Sequence, residues 1–432
     1  MGLRQNALLL VLLTGLIAIA GDWSGQAALA RYWCLPAALL LLGLAYEAWI
    51  VSRAAPRLAL RLPRRWVLGR ATPVDFQFTH DLRRMLRIEL APSAPPEVSL
   101  DRSVGIVSVP AGAAGSWSVS ATARRLGRYQ WPRTSTRVGG ALGLAWWNRW
   151  LASGAEMQVM PDFLRDAERA IGEPARGARP AQRCGSGSEV LQLREYQPGD
   201  PPRAIDWKAS ARLRRLVSRD FSEDQHLEIV VALDAGRASG LAAGHTDRLA
   251  LYANVAARLA QRATMLDDRV GLLIYADRPL AAVAPSHGIA ALARLRACLA
   301  EASVQPGDSN PALAAIRIRS LARQRSLIVM LTDLDDASAT GELRSAARLL
   351  LPKHLPFIAG VASERVAALA RTPARDALEV YRSLAAQEYC HTLARNVASL
   401  RALGAAAVSA APRELDRAVL EAYLSFRQRR RV

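Results

Sequence analysis

The chain of 432 residues has almost no lysine, although it is strongly basic. Lys208 and Lys353 are the only lysines, and arginine supplies nearly all of the formal net charge of +19. The arginines are spread along the chain, and Arg427–Arg431 is the nearest approach to a basic tract. Binding to nucleic acid or to anionic lipid is one interpretation of this charge. An arginine-rich composition combined with the positive-inside bias of a membrane protein is the other, and the even spread favours it.

Sequence motifs for metal binding and for catalysis are also scarce. The four cysteines, Cys34, Cys184, Cys298 and Cys390, are far apart and form no CxxC pair. This spacing argues against a zinc site or a disulfide framework and fits a reducing compartment. The six histidines form no HxH or HExxH pattern, and neither a GxSxG elbow nor a P-loop is present. The sequence therefore contains none of the motifs typical of common hydrolases or nucleotide-binding proteins.

Two hydrophobic segments open the chain, at Ala7–Ala20 and Cys34–Val51. We expect residues 1–55 to form two transmembrane helices joined as a hairpin. A cleaved signal peptide, with Ala28–Ala30 as its cleavage site, is the competing interpretation. Five arginines follow the second segment at positions 53–65, so the positive-inside rule places the soluble domains on the cytoplasmic side of the inner membrane.

Short alternating segments fill residues 66–161. Val74–Phe78 and Leu86–Leu90 each place an apolar residue at every second position, with prolines, glycines and serines between such segments. This pattern predicts a small antiparallel β-domain, sandwich-like in architecture. Residues 162–188 are poor in large apolar side chains and rich in Gly, Pro, Arg and Ser, which predicts a linker or mobile loop.

Residues 226–432 alternate apolar strands with amphipathic helices, which predicts an α/β domain with a parallel sheet. The segments Leu227–Asp234 and Ser326–Asp333 are buried strands that each end in an acid. Ligands of such folds bind at the carboxyl ends of the strands. Asp234 and Asp333 are therefore the strongest candidate functional residues of this half.

Residues 189–225 contain the densest mixture of functional side chains, in the segment "QPGDPPRAIDWKASARLRRL" at Gln197–Leu216. The prolines predict an extended lead-in and a short helix that begins near Ala204. Trp207 has the size to anchor the segment by burial. A nucleic-acid groove would need several aromatic residues between its cations, and this segment has one. The candidate partner-binding or interdomain residues are Arg203, Asp206, Trp207, Lys208 and Arg212.

This segment resembles the signature of the bacterial family called domain of unknown function 58. The matching residues are Arg194, Glu195, Tyr196, Gly199, Asp200, Arg203, Asp206, Trp207, Lys208, Ala211 and Arg212. Leu126–Trp131, the "VMPD" at the exit of the β-domain and "LTDLDD" after the third strand agree with it. Ala141–Leu144 depart from it, since an aromatic-proline-glycine turn is more usual there.

The C-terminal half resembles a von Willebrand factor A-like domain. That family holds a divalent metal through a strand-end Asp-x-Ser-x-Ser, a later threonine and a second strand-end Asp. The resemblance implies a degenerate Mg²⁺ site at Asp234, Ser309 and Asp333, because Gly236 and Ala238 replace both serines. The alternative is that the two aspartates cap neighbouring helices or bind backbone N–H groups.

The family resemblance implies a multi-pass inner-membrane protein that is not an enzyme. Such proteins are accessory or scaffold proteins that act with a MoxR-type AAA ATPase on a client protein, in the assembly or activation of envelope-related proteins. No nucleic acid is expected as a partner. Two alternatives remain open: a metal-dependent hydrolase at the strand-end aspartates, and a membrane-tethered nucleic-acid binder.

Overall fold

The computed structural model describes residues 2–23, 32–140, 142–162, 184–222, 226–335, 337–373 and 376–430. The chain divides into two compact units. The first unit comprises Met1–Asp162, Gly244–Ala250 and Leu299–Ser303, and the second comprises Phe163–Ala243, Leu251–Cys298 and Val304–Val432. Most of the linker predicted at residues 162–188 lies outside the described residues.

Two apolar helices begin the first unit, α1 at Gln5–Trp23 and α2 at Cys34–Ala54. Within the described ranges, α2 is the one helix that is long and apolar enough to cross a membrane, as judged by length and composition. The apolar part of α1, Gln5–Ala20, is shorter. The second span of the expected hairpin stays a prediction, and Ala28–Ala30 lie outside the described residues.

Twelve described strands lie within Met1–Asp162 of the first unit, which also contains β17 (Thr246–Asp247). They are β1 (Gly2–Leu3), β2 (Arg57–Arg61), β3 (Arg65–Val67), β4 (Ala71–Thr79), β5 (Leu86–Ala91), β6 (Val98–Leu100), β7 (Gly105–Val109), β8 (Gly115–Ala123), β9 (Gly127–Gln130), β10 (Thr134–Gly139), β11 (Ala145–Leu151) and β12 (Glu156–Met160). They form sheets in the orders β1-β11-β10-β5-β7, β2-β4-β8-β6 and β3-β12-β9. The pairs are antiparallel except β12 with β3.

The sequence alternation predicts these strands because neighbouring side chains of a strand point to opposite faces. In β4, Val74, Phe76 and Phe78 are fully buried, while the residues between them are partly exposed. Phe76 packs edge-on against Trp131, with their ring centroids 5.9 Å apart. Phe76, Phe78 and Trp131 therefore form part of the core of this unit.

In the second unit, β13 (Cys184–Glu195) and β14 (Val217–Ser222) form an antiparallel pair. The segment between them contains a 3₁₀ turn at Pro202–Ala204 and the short helix α3 at Trp207–Leu213. The predicted helix thus begins three residues later than expected from the prolines. The pairing of β13 with β14 brings the two ends of this segment together, with Glu195 opposite Val217.

The rest of the second unit surrounds a six-stranded sheet in the order β19-β18-β15-β20-β21-β22. Its strands are β15 (Glu228–Asp234), β18 (Arg269–Tyr275), β19 (Pro279–Ser286), β20 (Leu327–Leu331), β21 (Leu355–Val361) and β22 (Ala406–Ala410). The short strand β16 (Ala242–Ala243) also belongs to this unit. The helices are α4 (Arg248–Met265), α5 (Gly288–Ala300), α6 (Pro311–Leu321), α7 (Ala337–Leu350), α8 (Glu364–Arg371), α9 (Ala377–Ala402) and α10 (Leu415–Arg430).

The six-stranded sheet is mixed, whereas the sequence pattern predicted a parallel one. Strand β19 pairs antiparallel with β18, and the other four pairs are parallel. The connection from β18 to β19 is a short turn, in which the Ala276 N–H donates to the Arg278 carbonyl at 3.0 Å. A tight turn joins only antiparallel neighbours, since parallel neighbours need a long crossover.

Candidate functional site

The candidate site lies at the carboxyl edge of the mixed sheet, where β15 and β20 end side by side. These neighbouring strands are parallel, with Leu233 in register with Leu331. The chain continues from β15 to β18 on one side, and β20 lies on the other side. Such a reversal of strand order opens a crevice at the carboxyl edge, which is the usual place for ligands on open α/β sheets. The structure therefore brings the acids that follow β15 and β20 to one place.

The Asp234 carboxylate is the hub of a buried hydrogen-bond network. Its Oδ1 atom accepts the Gly236 N–H at 2.9 Å and also the Ser309 hydroxyl. Its Oδ2 atom accepts the Thr332 hydroxyl at 2.5 Å. Burial raises the pKa of Asp234 above its usual value, and these hydrogen bonds oppose that shift by stabilising the carboxylate.

Gly236 is the residue that lets Ser309 reach Asp234. A Cβ on Gly236 would lie 2.2 Å from Ser309 Oγ and 3.1 Å from the Ser309 backbone nitrogen. The Ser309 hydroxyl thus occupies the space next to the first serine position of the metal motif. Beside it, Arg237 forms a 2.8 Å ion pair with Asp308, and both side chains are mostly exposed.

Asp333 belongs to the same edge but makes different contacts. The Tyr252 hydroxyl donates to Asp333 Oδ1 at 3.0 Å and lies 3.1 Å from the Thr332 carbonyl oxygen. The same hydroxyl accepts the Val361 N–H at 3.4 Å. Tyr252 therefore ties Asp333 to β21, the strand beyond β20.

A second tyrosine contributes to the electrostatics of the edge. Tyr275 ends β18 directly beside Asp234 in the strand register, and it is fully buried. Burial raises the pKa of Tyr275 well above its usual value, and the negative charge of Asp234 raises it further. Both effects favour the neutral phenol at Tyr275.

The side chains at this edge do not fit a magnesium ion in this arrangement. Magnesium requires about six oxygen ligands in octahedral geometry. Here the hydroxyls of Ser309 and Thr332 donate to Asp234, and Gly236 and Ala238 bring no side-chain oxygen. The described part of the chain contains no group of three or more His, Cys, Asp or Glu side chains that could hold a metal. These hydrogen bonds instead link the carboxyl ends of β15 and β20 to each other and to Ser309.

The other predicted site, in residues 197–216, is organised by two aspartates. Asp206 is the N-cap of α3, since its Oδ1 accepts the Ala209 N–H at 3.0 Å, and its Oδ2 accepts Arg219 Nε at 3.0 Å. These contacts lower the pKa of Asp206, the cap more than the arginine. Asp206 thus binds both the first turn of α3 and an arginine of β14.

Asp200 fixes the turn that precedes α3. It binds Arg194 through two hydrogen bonds of 2.8 and 2.6 Å and accepts the Gln197 N–H at 3.0 Å. The Arg194 hydrogen bond is the largest cause of the lowered pKa of Asp200, followed by the Gln197 N–H. Both signature aspartates therefore hold the segment to the β13–β14 pair.

Trp207 does not anchor this segment by burial, so that prediction is wrong. Its side chain is 66% exposed in the first turn of α3, directly after the N-cap Asp206. Arg203, Lys208 and Arg212 are exposed as well. Of the five predicted residues, the structure thus places Asp206 in the internal hydrogen bonds and the other four on the surface.

Sequence reasoning missed Thr332, Tyr252 and Tyr275. Thr332 immediately precedes Asp333, so its position after a buried strand was a usable signal. The two tyrosines gave none, because Tyr252 is one apolar position of a helix and Tyr275 is the last residue of an apolar strand.

Comparison with known proteins gives a family of unknown function. Residues 192–368 match the family model described as "Protein of unknown function DUF58", and this match supports the DUF58 family. No curated protein matches the chain.

Solved structures give distant likenesses. The conserved hypothetical protein BatB from Bacteroides thetaiotaomicron is similar at 15% sequence identity and a TM-score of 0.32, over 47% of this chain and 99% of that chain. An uncharacterized membrane spanning protein from Vibrio fischeri is similar at 13% identity and a TM-score of 0.19, over 46% of this chain and 98% of that chain. At TM-scores this low, neither likeness bears on the fold or the function of this chain.

Proposed function

We propose that this chain is a membrane-anchored accessory protein, without catalytic activity of its own, that docks a MoxR-type AAA ATPase. In this proposal the N-terminal helices form a hairpin in the inner membrane and the two units face the cytoplasm. The second unit is a von Willebrand factor A-like domain, and the client is an envelope-related protein. The order of the mixed sheet, with its antiparallel edge strand, supports the domain assignment.

The exposure of Trp207 among free cations is the observation that carries the proposal. Lys208, Arg212 and Arg214 follow it in sequence, are exposed, and have no acidic partner among the described residues. A tryptophan with two thirds of its surface in water, flanked by cations, is the composition of an interface hot spot. The nearby acids do not neutralise these cations, since Asp200 and Asp206 bind Arg194 and Arg219.

This surface indicates an acidic face on the partner. Exposed charges of one sign steer an oppositely charged protein and set the rate of encounter, while the aromatic residue supplies affinity. A catalytic role for Lys208 lacks support, because no side chain of the described residues hydrogen-bonds its amine to position it. We therefore assign residues 203–214 to docking.

Capture from membranes tests the proposal. The tagged full chain, solubilised in mild detergent, is expected to recover an AAA ATPase in the presence of ATP, identified by mass spectrometry. Trp207→Ala is expected to reduce the recovery about tenfold, which corresponds to about 1.4 kcal/mol. Trp150→Ala is the matched control, because Trp150 is 65% exposed on β11, and its recovery should equal that of the wild type.

Charge-reversal variants distinguish an error in the proposed partner from an error in the proposed docking surface. Lys208→Glu is expected to weaken recovery most at low salt, whereas Arg344→Glu, at an exposed position of α7, leaves it unchanged. If no AAA ATPase is recovered with or without ATP, the proposed partner is wrong. If the Trp207 and Lys208 variants recover it as well as the wild type does, the docking surface lies elsewhere.

A further inference from the structure

The turn between β10 and β11 packs against the side of α2, well before that helix ends. A Cβ placed on Gly43 would lie 2.6 Å from Leu144 Cδ1 and 3.5 Å from Leu142 Cδ1. Gly43 is followed by 11 further residues of α2, which ends at Ala54. At about 1.5 Å per residue, the Leu142–Leu144 turn reaches about 16 Å along the helix from its C-terminal end.

Glu47, one helical turn after Gly43, binds the backbone of this turn. Its side chain is fully buried. The carboxylate accepts the N–H groups of Leu142 at 2.8 Å, Leu144 at 3.0 Å and Ala145 at 3.0 Å. One acid on an apolar helix thus satisfies three backbone donors of a turn that is far away in sequence.

Two further polar groups of the turn are satisfied within the protein. The Gly143 N–H donates to the Gly140 carbonyl at 3.2 Å, and the Leu144 carbonyl accepts the Arg4 N–H at 2.8 Å. Gly143 has a φ of +69°, in the left-handed region that favours glycine. The polar groups of the turn are thus bound by Gly140 within the turn, by Arg4 just before α1 and by Glu47 of α2.

A membrane requires such internal satisfaction of every backbone group in a turn, whereas in water it is only one of the ways to satisfy them. Water satisfies the N–H groups of a surface turn, and burying a carboxylate for that purpose costs free energy. In hydrocarbon no water is present, so every backbone polar group needs a protein partner. Ionisable residues within membrane helices accordingly face protein and pair with polar groups there.

The exposed side chain of the turn continues the apolar surface of α2. Leu142 is 49% exposed, and Leu39 and Leu42 of α2 are 62% and 70% exposed. The 21 residues of α2 extend over about 32 Å, which matches the hydrocarbon thickness of about 30 Å. Lipid that covers the exposed leucines of α2 therefore also reaches Leu142.

We propose that the Leu142–Leu144 turn lies inside the apolar layer of the membrane, where Leu142 contacts lipid acyl chains and Glu47 holds the turn in place. This inference rests on the membrane anchoring proposed above. Glu47 is a positioning residue, because it acts on the lipid contact only through the backbone of the turn. The occupant of this surface is lipid, since the turn lies alongside a helix suited to the bilayer.

Spin labels on the full chain in phosphatidylethanolamine–phosphatidylglycerol vesicles test the depth of the turn. In a background with serine at the four native cysteines, single cysteines replace Leu142, Leu39 of α2, and Ile106, which is 55% exposed on β7. Oxygen relaxes labels in lipid, and a water-soluble nickel chelate relaxes labels in water. Labels at Leu142 and Leu39 are expected to respond to oxygen, and the label at Ile106 to nickel.

The outcomes separate this inference from the anchoring on which it rests. If the Leu142 label responds to nickel as strongly as the Ile106 label while the Leu39 label responds to oxygen, the turn lies in water and the inference is overturned. If the Leu39 label also responds to nickel, α2 is not in the membrane, and the proposed anchoring fails with it.

Substitution of Glu47 tests its positioning role with the same readout. Glu47→Ala removes the acceptor for all three N–H groups, so we expect the Leu142 label to shift from oxygen to nickel accessibility. Glu47→Gln keeps one acceptor oxygen and should restore part of the oxygen response. A Leu142 label that responds identically in wild type and Glu47→Ala would show that Glu47 does not hold the turn.

Discussion

The Thr332 hydroxyl donates a 2.5 Å hydrogen bond to Asp234 Oδ2, and this bond joins the carboxyl ends of two neighbouring parallel strands. The same carboxylate also binds Ser309, at the beginning of the α6 region. Three segments that are distant in sequence therefore meet on one buried acid. The edge where open α/β sheets usually bind ligands is here occupied by the protein's own hydroxyls.

The stability of the chain should depend on pH through Asp234. Burial raises the folded-state pKa of this carboxyl, so the folded state binds its proton more tightly than the unfolded state does. The resulting stabilisation is full below the ordinary aspartate pKa of about 4 and is lost as the pH rises through the folded-state pKa. Asp234→Asn does not titrate. We expect the melting temperature of the wild type, relative to Asp234→Asn, to increase as the pH falls from about 7 towards about 4.

Thermal unfolding of both proteins at the two pH values gives this comparison. Asp277→Asn, at an exposed position, is the control and should show no such trend. A constant difference between wild type and Asp234→Asn would contradict the raised pKa.

Restoring the first serine of the metal motif should destabilise the protein. Gly236→Ser places a Cβ where only 2.2 Å separates it from Ser309 Oγ, so Ser309 must leave Asp234. We expect a loss of about 1–3 kcal/mol in the free energy of unfolding, measured with urea. The double variant Gly236→Ser, Ser309→Ala removes the clash and should recover part of this loss. Equal stability of wild type and Gly236→Ser would show that the strand ends accommodate the added side chain without loss of the Ser309–Asp234 hydrogen bond.

Magnesium should not bind at the strand-end aspartates. The donor set lacks both motif serines, and the Asp234 oxygens already accept three hydrogen bonds. A calorimetric titration of the full chain with magnesium chloride should give only the heat of dilution. Binding heat that disappears in both Asp234→Ala and Asp333→Ala would establish a metal site there.

Removal of the Arg427 side chain should be strongly destabilising. Arg427 forms an ion pair with Asp268, which is fully buried and also accepts the Tyr423 hydroxyl at 2.5 Å. Arg427→Met leaves this buried carboxylate without its cation, which costs about 3–5 kcal/mol. Chemical unfolding measures the loss. Arg429→Met, two residues later on the exposed side of α10, should be neutral, and similar losses in both variants would rule out a specific pair.

Loss of the Asp206 cap should release α3 to proteolysis. Asp206→Ala removes the acceptor for the Ala209 N–H, so the helix frays and trypsin should cut faster after Lys208 and Arg212. Asp206→Asn retains an oxygen at the N-cap and should be cut at nearly the wild-type rate. The rates are followed by mass spectrometry of timed digests. If both variants are cut equally fast, the ion pair with Arg219 and not the cap holds the segment.

Periodicity predicted the elements of this protein well, because it follows from local geometry. The alternation at Val74–Phe78 gave β4, and the apolar run at Leu227–Asp234 gave a strand buried along its whole length. β19 was missed because Pro279–Ser286 contains two prolines and shows no alternation of apolar and polar residues. An edge strand with one partner buries too little surface to need a hydrophobic run.

The amino-acid sequence by itself determined where strands and helices form and that two acids stand at the ends of buried strands. Only the tertiary structure decided that Ser309 binds Asp234 from 75 residues away and that Glu47 binds Leu142 from 95 residues away. It also decided that Trp207 faces solvent. The physical reason is that periodicity fixes which face of an element is apolar, whereas contacts between side chains depend on strand register, turn geometry and the space left by residues such as Gly236 and Gly43.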